Sequence, residues 1–96
     1  MKENLSELNK LEELLIKQGA EYERNDGAWR HQINVFDQGE RIWDAICQKG
    51  SFGYEEGLLE IMGVIVDGEP GQVEGWLTAK EIMRRYRSWI KKGVLE

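Results

Sequence analysis

The sequence holds one cysteine, one proline and one histidine among its 96 residues. With Cys47 alone no internal disulfide can form, which suits a reducing compartment. One histidine, one cysteine and carboxylates scattered without ligand spacing supply no metal constellation, and no cofactor motif accompanies them. No apolar run approaches the roughly 18 to 20 residues that span a bilayer. Met1-Lys2-Glu3-Asn4 leads into a charged amphipathic segment instead of a signal-peptide core, so the expectation is a cytoplasmic chain without membrane contact. Basic charge is scarce outside the last stretch: residues 1–79 carry 7 basic and 16 acidic side chains, whereas residues 80–96 carry 6 and 2. The body should repel nucleic acid, and only the C-terminal segment could attract it.

What is present suffices for one domain, residues 1–96. A hydrophobic fraction of 41% with four tryptophans argues for a folded core rather than an acidic disordered tail. Leu5, Leu8, Leu11, Leu14 and Leu15 recur at helical spacing and stop at Gly19, which predicts an amphipathic helix. Residues 20–24 read as a strand closed by Asn25-Asp26-Gly27, and Trp29 to Phe36 as a second. Asp37-Gln38-Gly39 suits a three-residue hairpin loop flanked by Phe36 and Glu40, which would set Ile33 opposite Trp43. One face then collects Trp29, His31, Ile33, Val35, Trp43, Ala45 and Cys47. The other takes Arg30, Gln32, Asn34 and Asp44 together with Phe36, Ile42 and Ile46. A plain two-residue loop would bury Asp44 among aliphatic side chains, a cost of several kcal/mol unless it is paired.

Ser51 reads as a helix N-cap, with Tyr54, Leu58, Ile61 and Met62 on the buried side of a helix ended by Gly63. Thr78 and Glu81 form a capping box for a last helix that buries Ile82, Met83, Tyr86, Trp89 and Ile90 and stops at Gly93. The predicted fold is α+β in the order α-β-β-β-α-α, a three-stranded antiparallel sheet with helices packed on one face. Trp43, Trp76 and Trp89 are expected to anchor packing, and Trp29 to be partly exposed.

His31, Asp44 and Cys47 are the residue types of a cysteine-nucleophile triad. The predicted register sends Asp44 to the opposite face, gives His31 no titratable neighbour and seats Cys47 in an apolar setting that keeps a thiol inert. The expectation is therefore no catalytic residue, and Asp44 is expected to pair with Arg30 across the sheet. Gly50-Ser51-Phe52-Gly53 invites an anion-binding reading, but Glu55 and Glu56 would repel a phosphate there. The better candidates for recognition are Ser51, Phe52 and Tyr54 in this loop, and Trp29, Phe36, Ile42 and Ile46 as apolar surface on the uncovered sheet face. Either a helix crosses that face, or a second subunit or a protein partner covers it. Arg84, Arg85, Arg87, Lys91 and Lys92 on the last helix form a basic arc that could grip a nucleic-acid backbone, although cations there also complement the helix dipole.

The runs Arg41-Ile42-Trp43-Asp44-Ala45-Ile46-Cys47, Gly50-Ser51-Phe52-Gly53-Tyr54-Glu55-Glu56-Gly57-Leu58-Leu59-Glu60-Ile61-Met62-Gly63 and Val73-Glu74-Gly75-Trp76-Leu77-Thr78-Ala79 carry a resemblance. Over about residues 8–88 the chain resembles small uncharacterised proteins encoded by phages and prophages of Gram-positive bacteria. The resemblance implies a phage accessory gene acting in the bacterial cytoplasm, by binding and inhibiting or adapting a host or phage protein without catalysis. The alternative reading is a small-molecule or nucleotide sequestering module built on residues 50–54, and a further one is nucleic-acid contact through the basic helix.

Overall fold

Leu8, Leu11 and Leu15 lie on one side of helix α1, Ser6–Gln18, and are wholly buried. The helix ends at Gly19, in the left-handed conformation with φ 75°, as its position in the pattern predicted. The computed structural model describes residues 4–28, 30–69 and 71–95, with side chains to Gly93. Five strands follow α1: β1 (Glu21–Asp26), β2 (His31–Asp37), β3 (Glu40–Ile46), β4 (Leu59–Gly63) and β5 (Val73–Leu77). They form one antiparallel sheet in the order β1-β2-β3-β4-β5, and helix α2, Ala79–Leu95, closes the chain. The class is α+β as predicted, but the sheet has five strands rather than three and the described residues form two α-helices.

The difference lies in residues 54–77. Only Tyr54–Glu56 turns helically, as a single 3-10 turn that ends at Gly57. Leu59 and Ile61 then alternate with Glu60 and Met62, and the ladder pairs Ala45 with Ile61. The helical spacing of Tyr54, Leu58, Ile61 and Met62 was a coincidence of a turn running into a strand with period two. Ser51 consequently caps no helix. β5 pairs Leu77 with Leu59 and Glu74 with Ile61, so Gly75 and Trp76 together face Glu60 in a bulge.

The β2–β3 hairpin also departs from expectation. Asp37 pairs with Glu40 across a two-residue turn in which Gln38 and Gly39 have φ of 51° and 82°. Both positions require left-handed backbone, the signature of a type I′ turn. Ile42 is then an extra residue in β3, after which Val35 faces Trp43 and Ile33 faces Ala45. The predicted partner of Ile33 was Trp43, so the register is two residues off. A slip of two preserves which side each residue occupies. His31, Ile33, Val35, Trp43, Ala45 and Cys47 are all buried on the helix-covered face, as expected. Ile42 itself packs against the core instead of joining Phe36 and Ile46 on the other face.

One apolar cluster joins α1, the inner sheet face and α2, with Ile82, Met83 and Tyr86 the main contributions of α2. At the start of that helix the backbone N–H of Glu81 donates to Thr78 Oγ1 at 3.2 Å. Glu81 Oε1 accepts from the Thr78 N–H at 3.1 Å, which completes the predicted capping box. Leu77 and Ile82 on either side are buried. The helix runs through Gly93 to Leu95 rather than ending at the glycine. On the opposite sheet face the polar side chains bond one another. Gln32 Nε2 donates to Asp44 at 2.8 Å, and Asn34 lies between Glu23 and Arg41 at 3.4 Å from each. Asp44 is thus held by Gln32 in place of Arg30. Among the described residues no helix is long and apolar enough to cross a membrane.

Candidate functional site

β3 leaves the sheet at Ile46, and the chain must turn sharply to re-enter at Leu59. The turn is closed by Ser51, whose hydroxyl donates to the Gln48 carbonyl at 2.7 Å and accepts from the Gln48 N–H at 3.1 Å. Its hydroxyl is thereby committed to the loop. Phe52 is fixed from two sides: its N–H donates to Glu60 Oε1 at 2.9 Å, and its carbonyl accepts from the Trp76 N–H at 3.2 Å. The loop is in effect stitched to the bulge of β5.

Two aromatic rings stand on that junction. Phe52 and Trp76 stack with centroids 5.3 Å apart and planes 21° from parallel, yet remain 48% and 56% exposed. Trp76 has φ 56°, left-handed backbone that costs a non-glycine residue about 1–3 kcal/mol. Gly75 is required by contact: a Cβ there would collide with Phe52 Cβ. The bulge therefore brings the β5 backbone against the loop and turns the indole outward.

Beside the rings lies a groove of about 580 Å³, lined by Asn4, Lys49, Ser51, Phe52, Tyr54, Glu55, Glu56 and Trp76 with Gly50 and Gly53. That volume lies within the range of ligand sites, roughly 300–1,000 Å³. Tyr54 is half-buried and rests on the core, so it forms a wall rather than a free contact. Three of the predicted recognition residues, Ser51, Phe52 and Tyr54, come together here. Phe36 and Ile46 lie half-buried on the open sheet face, Ile42 is at its bulge, and Trp29 lies outside the described residues. Trp76, expected to anchor packing, is instead more exposed than its stacking partner Phe52. Its signal was a glycine immediately before a tryptophan inside an otherwise strand-like run, a pattern of bulges and close backbone approach.

Elsewhere, His31 has a titratable neighbour that the sequence did not suggest. Its Nδ1 lies 2.6 Å from Asp26 Oδ1 across the β1–β2 pair. That hydrogen bond, helped by Arg24 at 3.0 Å, holds the Asp26 carboxyl below its ordinary range. Cys47 is fully buried on the same sheet face, and its Sγ approaches the Asn4 carbonyl at 3.7 Å. Asp44 is on the far face, as predicted, and neither His31 nor Cys47 lines the groove. Among the described residues no group of three or more His, Cys, Asp or Glu side chains is placed to hold a metal ion.

The basic arc of α2 is divided. Both terminal guanidinium nitrogens of Arg85 donate to the Glu74 carboxylate, Nη1 at 2.6 Å, and Asp67 lies 3.6 Å away. The guanidinium holds Glu74 below the usual carboxylate range, and the carboxylate in turn raises Arg85. Arg87 donates to Gln18 at 3.3 Å, while Arg84, Lys91 and Lys92 are exposed. Arg85 is thus a strut between α2 and β5. No protein-family model, curated protein or solved structure matches the chain.

Proposed function

We propose that the chain is a small accessory protein of a phage or prophage, working in the bacterial cytoplasm by docking a host or phage protein on the Phe52–Trp76 groove, without a catalytic step. The observation that carries this reading is the exposed aromatic pair held on strained backbone. Burying Phe52 and Trp76 against the protein's own core would have gained stability at about 25 cal/mol per Å² of apolar surface. The chain instead holds an indole in a left-handed conformation and packs a loop behind it. Large, rigid aromatic anchors of this kind dominate protein interfaces.

The test is affinity capture from a Gram-positive host, with wild-type protein and a Phe52→Ser/Trp76→Gly variant as baits. The expected result is one protein retained in stoichiometric amount by wild type and lost from the variant. Retention that survives this change but is lost with Phe36→Ser/Ile46→Ser would move the docking surface to the open sheet face. A second reading, sequestration of a small aromatic molecule or nucleotide, is favoured by the groove's volume and its stacking platform. Thermal stabilisation by members of a nucleotide panel, absent in Trp76→Gly, would establish it in place of the first.

A further inference from the structure

The groove's chemistry narrows what can dock. Phe52 covers one face of the Trp76 ring, and Trp76 is still 56% exposed, so the other face is open to a ligand. An indole face is the strongest cation-binding surface among the aromatic side chains. Among the described residues that line the groove, the exposed carboxylates of Glu55 and Glu56 stand against one cation, Lys49. The third nearby carboxylate, Glu60, holds the Phe52 N–H and fixes the platform. The larger field has the same sign: residues 1–79 carry 16 acidic and 7 basic side chains. The field and the groove lining complement a positive partner and oppose an acidic one.

From this we infer that the groove receives an arginine or lysine side chain from an extended basic segment of the partner protein. The cation lies on the open face of Trp76, and Glu55 and Glu56 flank it. The inference rests on the reading of the groove as a docking site and adds the partner's chemistry to it. Tyr54 contributes apolar wall for the aliphatic stem of the same side chain. The 3-10 turn that presents Glu55 and Glu56 is a single turn, so the carboxylates act as local charges on the groove rim.

The experiment is an NMR titration of ¹⁵N-labelled protein with short, capped Gly-Ser peptides that carry two arginines, two lysines, two methionines or two glutamates. The Trp76 indole signal is assigned by its loss in Trp76→Gly, a substitution the backbone at that position favours. The expected result is saturable movement of the Trp76 indole and Gly53 amide signals with the arginine peptide. Binding of the methionine peptide should be at least about fivefold weaker, and the glutamate peptide should give no shift. Glu55→Gln/Glu56→Gln should weaken arginine-peptide binding by about fivefold or more, while thermal melting stays within about 2 °C because both side chains are exposed. A methionine peptide that binds as tightly as the arginine one would overturn the inference and leave the groove a docking site of apolar preference. No Trp76 shift with any peptide would also overturn it, and the capture experiment with the Phe52→Ser/Trp76→Gly bait then decides separately whether the groove binds a protein. A Trp76-dependent dimer formed in place of peptide binding would overturn it as well.

Discussion

Trp43 on β3 and Trp76 on β5 each have one aromatic partner with centroids 5.3 Å away, and the likeness ends there. Trp43 is 1% exposed and meets the Tyr86 ring at 64°, edge to face, where β3 and α2 close over the core. Trp76 is 56% exposed, nearly parallel to Phe52, and stands on left-handed backbone. One tryptophan gains the transfer free energy of a large apolar side chain, at the scale of about 25 cal/mol per Å². The other forgoes most of it and adds backbone strain. The comparison separates packing from presentation within one sheet, and shows that the identity of a residue says little about which it does.

The comparison breaks most visibly at Trp43. Trp43→Ala should destabilise the fold by about 3–5 kcal/mol in urea denaturation, as for other buried aromatic truncations. A loss below about 1 kcal/mol would mean that the core is not centred there. Gly75→Ala comes next. Its Cβ would collide with Phe52, so about 1–3 kcal/mol should be lost together with the near-ultraviolet circular dichroism of the Phe52–Trp76 pair.

One carboxylate ties the strand that carries Trp76 to α2 and a second caps the start of that helix, and their effect is intermediate. Thr78→Ala should cost about 1 kcal/mol by opening the capping box. Arg85 depresses the folded-state pKa of Glu74, and the Thr78 N–H and hydroxyl depress that of Glu81, both from 4.5. Between the folded and unfolded values the unfolded chain binds more protons, so each carboxylate contributes stability that is complete above pH 4.5 and lost as pH falls through the folded value. Asp26, depressed from 3.8 chiefly by His31, adds to the loss at lower pH. Acid unfolding followed by far-ultraviolet circular dichroism should be shallower in Glu81→Gln.

The smallest effect is the sharpest. Trp76→Gly removes a stacking contact worth about 0.5–1.5 kcal/mol beyond the area it buries and relieves left-handed strain of about 1–3 kcal/mol. Stability should change by less than about 1 kcal/mol, or rise. A loss as large as that of Trp43→Ala would erase the distinction and make Trp76 a packing residue.

The features legible in the sequence were local ones. The leucine spacing of α1, the Thr78–Glu81 box and the alternation of β2 and β3 each depend on residues a few positions apart, and all three are present. The strands β4 and β5 were not legible, because Leu59–Gly63 is short, follows a 3-10 turn and becomes a strand only when Ile61 finds Ala45. Trp76 was misjudged for the same reason: its outward turn exists only once β5 has paired with β4 and left an extra residue. The Asp26–His31 contact likewise depends on how the β1–β2 turn closes. In the candidate site, Ser51, Phe52 and Tyr54 were found from the glycine-punctuated loop, whereas the partner strand that makes it a groove was not.

The extra residue Ile42 has a consequence for how this hairpin tolerates changes of length. Excising one residue from a strand normally exchanges inside for outside along everything beyond the cut. Excision of Ile42 would not, because Phe36 already faces Arg41 and Val35 already faces Trp43 on either side of it. A chain shortened at that point keeps Trp43 on the helix-covered face and Asp44 on the polar one, and loses the packing of one isoleucine and the hydrogen bond that its carbonyl accepts from the Val64 N–H at 3.0 Å. The same excision at Asp44 would turn Ala45 and Cys47 toward solvent. Ile42 is therefore the position in β3 where related chains could gain or shed a residue without refolding the sheet.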